Sequence, residues 1–448
     1  MSGIYIHIPF CRQACSYCDF FFVTRDRLIP EFVDALVHEI SAVPTGDGSP
    51  FQGDPVRTLY LGGGTPSRLP LPQLKRIFDA LHRRFDLSRL AECTMEVNPE
   101  DVTANLLAGL RDMGVTRLSM GIQSFQPELL EFMHRAHSAP EAHTALESVL
   151  RAGFASFSVD LIYGCPDQTE AQLQDDLDRL LAYDPPHLSA YSLTVEPRTR
   201  LGKQAELGRL NPANDETVAR QSRLIRDVLG ANGIHQYEIS NFAWQGHEAE
   251  HNSAYWRHEN YLGLGPAAHS FYWPGGGLER ERSSDLKGEP QEEFKALRWY
   301  HPADIHAYGR LVHSDGYRKW LDRVLGGEQE YRSGDTPAAS PISAENPGSR
   351  FPADSGCPPV VMLLPEGLEA EQLSLQDLAG ERVMTGLRTR AGVDLDDLAS
   401  RYGHPLTPSQ HLWVDEFRER GLMETEGPLR LTDSGYDLAD AIILRLLE

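Results

Sequence analysis

Cys11, Cys15 and Cys18 stand at C-x3-C-x2-C spacing in the string CRQACSYC, and thiolates this close together hold metal. A structural zinc takes four ligands in a tetrahedron, and the local motif supplies no fourth Cys or His. A cubane [4Fe–4S] cluster on three thiolates instead keeps one iron without a protein ligand, free to chelate a small molecule. The aromatic run Phe20–Phe22 follows directly. Its company, and the position of the loop after a β-rich run, favour the cluster; a zinc knot with a distant fourth ligand is the structural alternative.

Other loops carry polar residues of the same kind. Gly62–Pro66 reads GGGTP. It lacks the GK[ST] of a phosphate loop, which argues against a nucleoside triphosphate. Gly63 and Gly64 would let a backbone approach a ligand closely, or would simply make a tight turn. Glu96, in EVNPE, and Asp160, in VDLIYG, end or interrupt apolar runs. Carboxylates there are costly unless paired, so they should meet cationic or hydroxyl partners. A helix cap or a sheet-edge hydrogen bond would explain either one alone.

The elements that must position these residues repeat one pattern over the first 195 residues: a β-rich run, a turn, an amphipathic helix. The runs are Tyr5–Ile8, Thr58–Leu61, Cys93–Val97, Arg117–Ile122, Phe157–Ile162 and His187–Val195. Six alternating units predict a parallel sheet with right-handed crossovers, curled into a partial (β/α)6 barrel. In such folds chemistry gathers where strands end. Cys11, GGGTP and Gln123 all follow runs, and Glu96 ends one. Residues 1–235 are expected to form this barrel and 236–325 an aromatic-rich α+β extension. Gly326–Pro359 contains 16 Gly, Pro or Ser among 34 residues. Such a composition buries too little apolar surface to order itself and reads as a disordered insertion. Residues 360–448 read as a small winged-helix-like domain in which acidic residues outnumber basic ones.

With 42 basic against 65 acidic residues, the 448-residue chain carries a net charge of −23. No excess of cations exists to displace the counterions of a nucleic acid, so broad binding to one is excluded. The N-terminus does not read as a signal peptide, and no apolar run is long enough to span a bilayer. A soluble, cytoplasmic protein is expected, and six sparse cysteines agree with metal or redox chemistry over a disulfide framework. Cys93 and Cys357 look incidental, and the sequence does not decide a role for Cys165.

The cysteine motif and the loops after it resemble the radical SAM superfamily. That resemblance implies a [4Fe–4S] cluster on Cys11, Cys15 and Cys18, with S-adenosylmethionine (SAM) on the open iron. It also implies a SAM site lined by Gly63, Gly64, Thr65, Glu96, Gln123, Arg135 and Asp160, with Tyr5 and Tyr17 flanking cluster and adenosine. The strings YIHIPFC, GGGTPS, EVNPE, GIQSF and VDLIYGCP resemble, within it, the anaerobic coproporphyrinogen III oxidase family over nearly the whole chain outside the insertion. Three features point to its HemW subfamily of haem chaperones and away from the oxidase. Cys11 lies almost at the N-terminus, Phe20 stands where the oxidase has a further cysteine, and His251–Trp256 reads HNSAYW.

That motif implies haem binding by His251. An imidazole is a common axial ligand, and Tyr255, Trp256 and Tyr261 offer flat apolar surface. A core histidine among packed aromatics is the alternative, and His269 in YLGLGPAAHSF is a second candidate for the haem pocket. His7 reads as structural. The resemblance further implies a haem-acceptor protein, such as a respiratory membrane protein, with transient membrane contact and a homodimer. A radical enzyme acting on a porphyrin is the rival function, and radical degradation of haem a third.

Overall fold

The computed structural model describes residues 3–46, 49–51, 55–273, 295–326 and 364–447. Six parallel strands pair in sequence order: β1 (Gly3–Ile8), β2 (Thr58–Gly63), β3 (Glu92–Val97), β4 (Arg117–Gln123), β5 (Ser156–Tyr163) and β6 (His187–Ser192). Helices connect them, as parallel pairing requires. Local sequence sets the limits of these helices. Ala139–Ala152 begins with a Ser138–Glu141 capping box and ends at Gly153 in the left-handed conformation, and Glu170–Leu181 begins with a Thr169–Gln172 box.

Alternation along the strands divides the sheet into two unlike faces. Ile4, Ile6, Ile8, Leu59, Leu61, Met95, Val97, Leu118, Met120, Val159 and Leu188 are buried in the main hydrophobic core. The alternate positions, Tyr5, His7, Thr58, Tyr60, Glu92, Thr94, Glu96, Arg117, Ser119, Ser158, Asp160, His187 and Ser189, form the inner face. These polar groups bond one another across strands: Tyr60 to Glu96, Ser119 to Asp160, Ser158 to His187. The apolar face is covered by helices such as Ile29–Ala42, which buries Phe32, Val33, Leu36 and Ile40. The polar face encloses a lumen.

The sheet does not stop at six strands. β7 (His235–Gln236) and β8 (Asn241–Ala243) extend it antiparallel beyond β6. At the other side β9 (Tyr261–Leu264) pairs parallel with β1, followed outward by β10 (His269–Tyr272), β11 (Ala296–Tyr300) and β12 (Glu369–Leu373). The order β12-β11-β10-β9-β1-β2-β3-β4-β5-β6-β8-β7 makes one twelve-stranded sheet. Residues 236–325 thus contribute strands at both edges of the barrel sheet. β12 joins the sheet, and the C-terminal helices begin after it with Ser374 as the first cap.

The C-terminal unit opens with three helices, Leu375–Gly386, Leu395–Arg401 and Pro408–Glu419. Bridges Met423↔Leu431 and Val393↔Leu429 then hold a small wing, and Ala439–Leu447 closes the chain. It has its own hydrophobic core and rests on the extension through Phe271, Trp273 and Ala296. Except for Gly326, the segment read as a disordered insertion lies outside the described residues, as does Cys357.

One buried carboxylate ties the extension to the barrel. Glu39, fully buried on the helix Ile29–Ala42, accepts hydrogen bonds from Tyr308 (2.5 Å), Tyr317 (2.6 Å) and the Gly265 amide (3.0 Å). His301 Nε2 lies 2.7 Å from it. Burial alone would raise its pKa, but His301 and the two phenols outweigh that and hold it below the ordinary 4.5. A lowered carboxyl pKa adds stability above its unfolded value, and that share is lost as pH falls through the folded value. Glu39→Ala leaves the imidazole and both phenols facing a void, so chemical denaturation should show a loss of about 3–5 kcal/mol at neutral pH. The gap between variant and wild type should narrow on acidification; a neutral-pH loss below about 1 kcal/mol would show that the cluster does not couple extension to barrel.

Candidate functional site

The cysteine loop leaves β1 and is fastened on both flanks. Cys11 N donates to Val23 O at 2.9 Å; Ser16 donates through its amide to Met133 O (3.1 Å) and through its hydroxyl to Phe132 O (2.9 Å). The glycine loop after β2 supports it from below. Gly64 N donates to Ile8 O and Thr65 N to Phe10 O. A Cβ on Gly64 would lie 2.8 Å from the Pro9 carbonyl carbon, and Gly63 sits at φ +105° with the His7 ring where a side chain would go. These glycines thus serve a close approach of two chain segments, and the amides of residues 63 to 65 are spent within the protein.

The three thiols open onto a cavity of about 580 Å³ at the C-terminal ends of the strands. Of the residues singled out from sequence, Cys11, Cys15, Tyr17, Cys18, Gly63, Gly64, Thr65, Glu96, Gln123, Arg135 and Asp160 line it, and Tyr5 and His251 do not. Asn98, Glu100, Ser119 and Tyr191 also line it and were not singled out. Strand alternation could have found Asn98 and Ser119: the first lies two residues past Glu96, the second two before Gly121.

Arg135 is the hub of the wall. Its guanidinium donates to Asn98 Oδ1 (2.8 Å), Gly121 O (2.9 Å), Cys15 Sγ (3.3 Å) and the Tyr17 hydroxyl (3.4 Å). Burial would lower its pKa, yet Tyr17, Cys15 and Glu100 around it raise it further, so the charge is permanent. Gln123 ends β4 past a register shift, at φ +69°. Arg135 Nε and Gln123 Oε1 are buried without a hydrogen-bond partner, as expected of a wall that meets a polar ligand.

Two carboxyls form the floor. Glu96 accepts from the Tyr60 hydroxyl (2.8 Å) and the Gly63 amide (3.1 Å). Burial, with Asp160 nearby, pushes its pKa up to about 7 despite those donors. Asp160, bonded by the Ser119 hydroxyl at 3.1 and 3.2 Å, is also raised by burial. Cys11 accepts a 3.5 Å contact from Thr65, but burial still lifts its thiol to about 12. A bound cation inverts that logic and deprotonates a coordinating thiol. Among the described residues no three His, Cys, Asp or Glu side chains converge on a single metal ion. The donor set, three thiols around an open space with a fixed cation and two acids opposite, fits a cluster and a zwitterionic ligand better than a zinc knot.

His251 lies elsewhere. The helix Glu250–Trp256 sits at the start of the strands, its Glu250 and His251 amides capped by Glu92 at 2.9 and 3.2 Å. Both ring nitrogens are engaged, Nδ1 with Thr58 Oγ1 and Nε2 with the Tyr255 hydroxyl, each at 2.8 Å. The ring is 1% exposed, and burial lowers its pKa to about 3. In this structure His251 is a buried, neutral imidazole with both ring nitrogens engaged. His269 is different, exposed at the start of β10 and stacked on Tyr300 at 4.9 Å.

Comparison with known proteins follows this geometry. The model of the radical SAM superfamily matches residues 5–180, and that of the HemN C-terminal domain matches residues 373–438. The chain is 39% identical over 274 residues to heme chaperone HemW of Bacillus subtilis, a match covering 60% of this chain and 71% of that protein. It is 37% identical over 269 residues to heme chaperone HemW of Escherichia coli, covering 60% and 69%. Among solved structures, coproporphyrinogen III oxidase (HemN) from Escherichia coli, described as a radical SAM enzyme, superimposes with a TM-score of 0.69. That match covers 99% of this chain and 89% of the other at 19% identity, a likeness of fold alone.

The raised Glu96 pKa has a measurable consequence. Between about pH 4.5 and 7 the folded chain keeps a proton that the unfolded chain releases, so stability falls as pH rises through that window. In the metal-free protein, Glu96→Gln should flatten this part of the urea-denaturation profile. An unchanged slope would show that Glu96 ionises freely at the cavity floor.

Proposed function

Since the chain belongs to the HemW-type family of radical SAM proteins, we propose that it is a haem chaperone. In this reading it holds a [4Fe–4S] cluster on Cys11, Cys15 and Cys18, chelates SAM, binds one haem and passes it to an acceptor protein. The observation that carries the cofactor reading is the shared cavity: three thiols on one side, with Arg135, Gln123, Glu96 and Asp160 around it. When bound, such a cluster supplies an open iron for the amino and carboxylate groups of SAM and a source of one electron. Arg135 supplies fixed positive charge beside Cys15, balancing thiolates that are otherwise costly to bury. Gln123 Oε1 and Arg135 Nε supply an acceptor and a donor with no protein partner. Asp160 and Glu96 supply acceptors for hydroxyl or ammonium groups, and Glu96 can hold or release a proton near neutrality.

For haem, the family reading points to the HNSAYW segment and the accessibility of the rings points to His269. Ligation by His251 would require its helix to leave Thr58 and Glu92, whereas His269 is exposed. The acceptor, a cytoplasmic location, transient membrane contact and a homodimer belong to the same proposal. Among the described residues no helix is long and apolar enough to cross a membrane.

An anaerobic haem titration of the wild type, His269→Ala and His251→Ala, followed by absorbance, tests this reading. Saturation near one haem per chain is expected, with the Soret band shifted or the affinity reduced in His269→Ala. Loss in His251→Ala alone would instead place the ligand on an opened HNSAYW helix. Absence of saturable binding in the wild type would contradict the chaperone function and turn attention to substrates of a radical enzyme.

A further inference from the structure

Asn98 follows β3 and occupies the N-cap of the 3-10 turn Pro99–Asp101, where an asparagine oxygen ordinarily accepts a backbone amide of the turn. Its side chain makes no such bond. It lines the cysteine cavity instead, and both ends of its amide are engaged there. Oδ1 accepts from Arg135 Nη2 at 2.8 Å, and Nδ2 donates to Thr65 Oγ1 at 3.1 Å. The reverse orientation would set the amide NH2 against the guanidinium, donor against donor, so the partners fix this one. The backbone holds the residue in place: Asn98 N donates to Ser67 Oγ (3.2 Å), which in turn donates to Asp101 Oδ2 (3.1 Å). Gly121 makes the room, since a Cβ there would lie 3.0 Å from Asn98 Oδ1 and 3.2 Å from Arg135 Nη2.

The direction of the Asn98 bond decides where the Thr65 hydroxyl points. Thr65 Oγ1 accepts from Asn98, so its own single hydrogen is turned elsewhere, and Cys11 Sγ is its acceptor at 3.5 Å. On the other side of the amide, Arg135 Nη1 donates to Cys15 Sγ at 3.3 Å. Two of the three thiols thus take a hydrogen bond from a side chain that Asn98 touches. Hydrogen bonds to the ligand sulfurs help set the reduction potential of a cluster. They hold the more negative, reduced form more strongly than the oxidised one, and so raise that potential.

We propose that Asn98 is a positioning residue for the cluster: by donating to Thr65 it aims the Thr65 hydroxyl at Cys11 Sγ and keeps the reduction potential higher than bare thiolates would set it. The inference rests on the assignment of a [4Fe–4S] cluster to Cys11, Cys15 and Cys18. It goes beyond that assignment by giving a residue that touches no iron a share in how readily the cluster accepts an electron. Asn98 acts through Thr65, because Arg135 keeps Gly121 O and the Tyr17 hydroxyl as partners when the amide is removed.

Dithionite titration of the anaerobically reconstituted full chain, followed by electron paramagnetic resonance, tests this. SAM is left out, so that no contact between Asn98 and SAM enters the result. Iron content is measured first, with about four irons per chain expected. Thr65→Val, which keeps the shape and deletes the hydroxyl, should move the midpoint to a more negative potential, and Thr65→Ser should restore it. Asn98→Ala should move it the same way. In the Thr65→Val, Asn98→Ala double variant the second change should add nothing, because no hydroxyl is left to aim. If Asn98→Ala holds no iron, Asn98→Leu fills the same space without polar atoms and carries the same expectations. A wild-type midpoint in the Asn98 variants would overturn the inference, as would additive shifts in the double variant. Loss of the cluster from both Asn98 variants would also overturn it, since Asn98 would then build the site and not set its potential. A wild type without iron would overturn the cluster assignment and this inference together.

Discussion

The Arg135 guanidinium is the contact on which the site depends. It reaches the cysteine loop through Cys15 and Tyr17, the end of β3 through Asn98 and the end of β4 through Gly121. A buried cation is tolerated only where acceptors surround it, so these four partners must be in place for the loop to fold against the strands. The same charge makes a pocket of three thiols electrostatically possible. Without it, bringing thiolates together beside Glu96 and Asp160 would concentrate negative charge in a poorly solvated space.

The second constraint is the division of the sheet into an apolar outer face and a polar inner one. Helices drive the outer face by burying Ile, Leu, Val and Met side chains. The inner face carries no such requirement and is filled with Thr, Ser, Tyr, His and acid groups that satisfy one another. A lumen of this kind is able to host chemistry because its groups are fixed by neighbours on adjacent strands, not by flexible loops. Glu39 plays the corresponding role on the outside, where it locks the extension, and with it β9 to β11, onto the first helix of the barrel.

Much of this was legible in the residues. The six parallel strands fall where the β-rich runs predict them, because period-two and helical patterns alternate without ambiguity over the first 190 residues. Eleven of the thirteen residues singled out for cluster, SAM and haem line one cavity, since most follow or end a strand and a parallel barrel gathers those ends. What escaped was set by tertiary context. HNSAYW does not say that Thr58, some 190 residues away, takes one nitrogen of His251 and that Tyr255 takes the other. Nor does local pattern show that the runs after residue 235 add strands to both edges of the barrel sheet, because a two-residue strand such as β7 carries almost no periodicity. GGGTP reads as a close approach to a ligand or a tight turn, and local pattern does not show that Gly64 N and Thr65 N donate to Ile8 O and Phe10 O while Gly63 N donates to Glu96.

The most direct test of the account is electron paramagnetic resonance of the anaerobically reconstituted, reduced protein with and without SAM. The account predicts about four irons per chain and a reduced-cluster signal whose line shape changes when SAM occupies the open iron. A chain that holds zinc in place of iron, or a cluster signal indifferent to SAM, would contradict it.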